Sequence, residues 1–147
     1  MQLTTHIEQL VSGPLLKEVI GIRRHLHSHP ELSFQETETS AYIRTLLDTW
    51  GIPYKFPLVE TGFLAWIKGK KKGPVIALRT DMDALPVNEE TDRPFRSIRP
   101  GIMHACGHDG HTATLFAAAL WLKQQEQSVF FENRWMIRHS WIRSTGC

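Results

Sequence analysis

The sequence predicts a mixed α/β layer architecture, and three observations predict it. Residues 3–28 and 36–50 space their apolar side chains at helical intervals. The runs at 52–58, 63–68 and 75–78 have strand length and are bounded by Gly, Pro or charge. The apolar stretch Ala113 to Leu122 then returns to a helical pattern. The order helix, helix, strands, helix packs as helices against a mixed sheet.

The bulk numbers agree with one domain. The chain has 147 residues and is 41% hydrophobic, enough for a core. It holds no run of about 18 apolar residues, so no membrane-spanning helix is expected. No basic segment leads into an apolar one at the N-terminus, which argues against a secretory signal and predicts a cytoplasmic protein. Two distant cysteines, Cys106 and Cys147, make no disulfide framework. The net charge is +2, and its location is informative: residues 1–127 carry 14 basic and 14 acidic side chains, so the excess falls wholly in 128–147.

In the first helix Leu15, Leu16, Val19, Ile22 and Leu26 form the apolar stripe. Pro14 suits the first turn of its main part, with Ser12 as cap. Pro30 ends it by Ser28 or His29. The cluster Arg23, Arg24, His25, His27, His29 and Glu31 reads first as a solvated helix end, with cations near the C-terminal dipole. The alternative is a site wall lined by His27 or Glu31.

The second helix carries Ala41, Ile43, Leu46, Leu47 and Trp50, and Gly51 suits the position just past its end. Glu60-Thr61-Gly62 reads as a hairpin turn between two strands. The turn with Lys70, Lys71 and Lys72 reads as a solvated loop; it lacks the interleaved aromatics of single-strand binders, so no nucleic-acid partner is expected. Val75 to Leu78 suits a buried central strand. It runs into Asp81 and Asp83, two carboxylates where open α/β sheets place ligand sites; plain surface charge is the competing reading.

Residues 99–112 are the densest in chemistry. His104, Cys106, His108, Asp109 and His111 crowd together, broken by Gly107 and Gly110. Thiolate and imidazole are the usual ligands of zinc and similar ions. Cys106 and His108, two positions apart, diverge on a helix and can converge in an extended loop, and the glycines favour the loop.

Four segments together resemble a known family. They are Arg23 to His27 with His29 to Phe34; Ala77 to Pro86; Glu90-Thr91 with Pro94-Phe95; and Pro100 to Asp109 with His111. In order and spacing they are similar to the aminoacylase and hippurate hydrolase group of metal-dependent amidohydrolases. That group is related to zinc aminopeptidases and carboxypeptidases and to hydrolases of auxin–amino acid conjugates. The resemblance implies a zinc-peptidase-like catalytic domain over residues 1–127. It also implies cleavage of a small N-acyl amino acid to a carboxylate and a free amino acid. Cys106 and His108 would be metal ligands, for one or two divalent ions, Zn or Mn. Asp83 would orient a ligand, and Asp81 stands where related peptidases have a ligand histidine.

The resemblance further implies parts this sequence does not carry. The family's general base is the first glutamate of a Glu-Glu segment after the next strand, two further histidines complete the metal shell, and an inserted domain commonly makes a dimer. Beyond residue 126 the only carboxylate side chain is Glu132 and the only histidine His139. Residues 128–147 are therefore expected to be an atypical tail, the product of a frameshift or premature stop, and the chain a truncated, inactive amidohydrolase. Two alternatives stand beside this: a tail packed as an amphipathic helix over the sheet, and a non-catalytic metal-binding or interaction fragment.

Overall fold

A computed structural model describes residues 13–69 and 75–126, and the backbone of residues 132–137. The elements are α1 (Gly13–Ser28), α2 (Thr37–Thr49), β1 (Tyr54–Lys55), β2 (Phe63–Lys68), β3 (Val75–Thr80), α3 (His108–Gln124) and β4 (Glu132–Ile137). The mixed α/β architecture is the one expected. The Ser12 cap and the Lys70–Lys72 turn lie outside the described residues.

Over the described residues both front helices form where their spacing predicts, although Leu16 of the expected stripe is exposed and residues 3–12 lie outside the described residues. α1 buries Leu15, Ile22 and Leu26, and also His27. α2 buries Ile43 and Leu47 and ends at Gly51, whose φ of 62° is the left-handed conformation that favours glycine. The residue before α2, Glu36, makes no side-chain cap. Glu31 does that work from outside the helix: its carboxylate accepts the Thr39 N–H at 2.7 Å and the Glu38 N–H at 3.3 Å.

The sheet has the order β1-β2-β4-β3. β1 and β2 are an antiparallel pair in which Tyr54 faces Ala65. The first strand is shorter than expected, because Pro53 and Pro57 have no N–H to give a ladder. The turn between them closes through Gly62 N–H to the Val59 carbonyl at 2.7 Å.

Three expectations need correction. First, Val75–Thr80 is at one end of the described sheet, not its centre, and Val75, Ile76 and Leu78 are exposed. An apolar run gives strand length, but its place depends on partners distant in sequence. Second, residues 132–137 form a strand and not a helix; β4 runs antiparallel to β2 and parallel to β3. β4 supplies β2 and β3 with backbone partners, and an open ladder outweighs the local helical pattern. Third, α3 begins at His108, so His108, Asp109, Gly110 and His111 are helical rather than loop. Gly107, at φ 82°, makes the sharp entry into the helix.

The core lies between the helices and β2. Ile22 and Leu26 of α1, Ile43 and Leu47 of α2, Phe63, Ala65 and Ile67 of β2, and Leu115, Phe116 and Ala119 of α3 belong to one buried cluster. On β2 the buried residues alternate, as a half-covered strand requires. Each large side chain here contributes roughly 1.5–3 kcal/mol by leaving water.

Candidate active site

Beyond β3 the chain is pinned on two sides. Ala84 N–H donates to the Glu31 carbonyl at 2.7 Å, and Leu85 and Met103 exchange backbone hydrogen bonds at 3.0 and 3.1 Å. These bonds draw the end of β3, the end of α1 and the segment before α3 together. Met82 is buried in the core, which turns Asp81 and Asp83 the other way along the alternating backbone.

Asp83 and His108 meet. Nδ1 of His108 lies 3.1 Å from Oδ1 of Asp83 and 3.0 Å from the Asp83 carbonyl. Both neighbours are acceptors, so Nδ1 carries the hydrogen, and in the neutral ring the lone pair is on Nε2. The Asp83 hydrogen bond raises the His108 pKa above its usual 6.5; burial opposes this, and the nearby Asp81 charge adds to it. Asp81 pairs with Arg79, and its carbonyl accepts the Thr112 hydroxyl at 3.0 Å. Cys106 is exposed, outside any disulfide, and stands one residue before Gly107.

A sulfur and an imidazole nitrogen, the latter oriented by a carboxylate, suit a borderline divalent ion. They are two donors. Among the described residues no three His, Cys, Asp or Glu side chains gather closely enough to hold a metal ion.

A second cluster lies beside this pair. His27 is buried, and its two ring nitrogens each face a carboxylate: Nδ1 is 2.8 Å from Oδ2 of Asp109 and Nε2 is 3.1 Å from Oε1 of Glu89. A carboxylate oxygen only accepts, so each contact needs a hydrogen on the facing ring nitrogen, and the neutral ring supplies one of the two. Nε of Arg23 lies 2.8 Å from the same Asp109 oxygen. Asp109 is 1% exposed and stands in the first turn of α3, where the helix dipole favours an anion. Burial opposes ionisation of Glu89, yet the Ser97 N–H, the Thr91 hydroxyl and His27 hold its carboxyl at about 2. His104 is buried with both ring nitrogens unpaired among the described residues, and burial pushes its pKa down to about 4.

The solvated helix end expected for residues 23–31 therefore gives way at His27 and Glu31, both buried and bonded. Sequence reasoning missed the parts of Arg23, Glu89, His104 and Asp109. The spacing of Arg23 and His27 on one helix face was the available signal; their partners, 62 and 82 positions from His27, left none.

The comparisons with known proteins fit this arrangement. Residues 77–133 match the family described as Peptidase family M20/M25/M40. Over these residues the chain is similar to that peptidase family. It is 52% identical over 115 residues to an N-acetyl-L-cysteine deacetylase of Bacillus subtilis, covering 78% of this chain and 28% of that protein. It is 44% identical over 123 residues to an N-acyl-L-amino acid amidohydrolase of Geobacillus stearothermophilus, covering 84% and 33%. Its fold superposes with a TM-score of 0.83 and 44% identity on the YXEP protein of Bacillus subtilis, described as a dinuclear metal binding peptidase from the M20 family. That match covers 86% of this chain and 36% of the other. The chain thus spans about a third of the length of these M20 relatives. Among the described residues, no helix is long and apolar enough to cross a membrane.

Proposed function

We propose that this chain carries the Cys106–His108 half of an M20 metal centre, and that the reaction the centre serves is hydrolysis of an N-acyl amino acid to a carboxylate and a free amino acid. The observation that carries the reading is the Asp83–His108 contact at 3.1 Å. It fixes the imidazole tautomer and orientation as a carboxylate behind a metal-binding histidine does. Cys106 and His108 would hold the metal. A bound divalent ion, Zn or Mn, would supply a polarised carbonyl and a water acidic enough to react near neutral pH. Asp83 acts through His108 and is a positioning residue. The names of the deacetylase and amidohydrolase relatives support the substrate class.

Taken alone, the 147-residue chain is proposed to bind a divalent ion weakly and to turn over little substrate. Two donors from one segment make a weak site. The Glu-Glu segment after the next strand, which the resemblance assigns as base, is not found within residues 127–147. Base assistance is typically worth about 10²–10⁴-fold in rate. Residues 128–147 are read as an atypical tail, with a shift in reading frame as its origin, and the cytoplasm as the compartment. The second reading, a metal-binding fragment without turnover, is favoured by the absence of a three-ligand cluster among the described residues.

The deciding experiment is to assay purified chain, with Zn²⁺ or Mn²⁺ supplied, for amino acid release from N-acetyl amino acids. No release with measurable metal uptake is the expected result. Release that disappears in Cys106→Ala would overturn the proposed inactivity and leave the amidohydrolase reading intact. Equal metal uptake by wild type and Cys106→Ala would overturn the metal-centre assignment.

A further inference from the structure

Cys106 and His108 are flanked on the same segment by two buried side chains, His104 before them and Asp109 after. His27 of α1 bonds the second and stands near the first. His27 Nδ1 lies 2.8 Å from Asp109 Oδ2, and the His27 and His104 ring centroids are 6.4 Å apart. On its far side His27 Nε2 reaches Glu89 at 3.1 Å, and the other Glu89 oxygen accepts the Ser97 N–H at 2.6 Å. Arg23, one turn earlier on α1, reaches Asp109 at 2.8 Å. His27 is thus the point where α1, the Glu89 segment and the Asp109 end of the Cys106–His108 stretch come together.

We propose that His27, backed by Arg23, is the positioning residue of the Cys106–His108 segment: through Asp109 it anchors the end of the stretch beside His108, so that thiol and imidazole are presented in one geometry. Its metal consequence rests on the metal-centre reading above; its mechanical part does not. The physical grounds are specific. Gly107 and Gly110 lower the cost of many backbone conformations in this stretch, so the stretch needs external ties. The Asp109 carboxyl group is buried, and a buried carboxyl group needs hydrogen-bond donors on it. Those donors sit at 23 and 27 on a single helix face, and neither belongs to the segment they hold.

The test uses the full chain in three variants: His27→Gln, the milder Arg23→Gln, and Ile43→Val as a core control remote from the segment. Hydrogen exchange of the peptide spanning residues 103–111 reads the positioning without metal. Titration with Co²⁺ alone, followed by its thiolate absorption band, reads the presentation of Cys106. The expected result is exchange at 103–111 at least tenfold faster in His27→Gln and Arg23→Gln than in wild type. Co²⁺ affinity falls with it by about 10–100-fold, as for other partners that orient metal ligands; Ile43→Val changes neither. Unchanged exchange at 103–111 in folded His27→Gln overturns the proposal. If His27→Gln does not fold, unchanged exchange in Arg23→Gln overturns it. Wild type that shows no cobalt–thiolate band defeats the metal-centre reading, while the exchange data still decide the positioning role.

Discussion

The carboxylate of Asp83 accepts the Nδ1 hydrogen of His108 at 3.1 Å across 25 positions of sequence. The strand that ends before Asp83 and the helix that begins at His108 are therefore set against each other at their ends. This contact has a measurable titration. In the metal-free chain the His108 ring is expected to titrate above 6.5 by NMR, because Asp83 favours its charged form. Asp83→Ala lowers that value. The sign for stability follows: the Asp83–His108 contribution is fully present below the unfolded pKa and is lost as pH rises through the folded one. The stability gap between wild type and Asp83→Ala therefore narrows above pH 6.5, and an equal gap at pH 6 and pH 9 would refute it.

Gly107 enters α3 at φ 82°, with open space where a Cβ would stand. The cost of Gly107→Ala is therefore one of backbone conformation and not of collision. Denaturant melts are expected to show a loss of about 1–2 kcal/mol, the usual cost of placing an L side chain in the left-handed region. Gly110→Ala, inside the helix at an ordinary φ with the same open space, is expected to be neutral or mildly stabilising.

Glu89 governs an acid transition. Its folded pKa of about 2 lies below the usual carboxylate value of 4.5. The stability it contributes is present above 4.5 and drains away as pH falls toward 2. Glu89→Gln is expected to be clearly less stable than wild type at pH 7 and to approach it by pH 2–3. Parallel melting curves at all pH values would contradict this.

Glu36 runs the opposite way. It is fully buried, and burial raises its pKa despite the Thr61 hydroxyl that donates to it at 2.7 Å. Its other oxygen has no partner among the described residues. The unfolded chain ionises this group more readily, so wild-type stability declines as pH rises above 4.5. Glu36→Gln removes that decline and is expected to be at least as stable as wild type at pH 7. A loss of more than about 1 kcal/mol there would show that the carboxylate itself is needed.

The parts legible in the sequence were those with local grammar. The stripe of α1, the Gly51 stop of α2 and the Glu60–Gly62 turn are written within a few neighbours, and each lies where expected. Asp83, Cys106 and His108 were singled out by the family resemblance of their segments, and the structure brings Asp83 to His108. What escaped depends on distance. His27 looked like an exposed cation because nothing near it in sequence reveals Asp109 or Glu89. β3 looked central because its own side chains are apolar, whereas its neighbour is a strand from the other end of the chain. The first turn of α3 looked like loop because two glycines outweighed Asp109, a residue the helix N-terminus favours.

The place of β4 between β2 and β3 also sets an order of events during translation. Ribosomes extend a chain by about 5–20 residues per second. The stretch from Thr80 to Glu132 therefore takes several seconds to emerge, and throughout it the β1–β2 hairpin and β3 lack the strand that joins them. Until then β3 lacks its only strand partner among the described residues, and nascent unpaired strand edges are the kind of segment that chaperones and proteases compete for. For this chain, the described sheet is completed only when its last described strand leaves the exit tunnel.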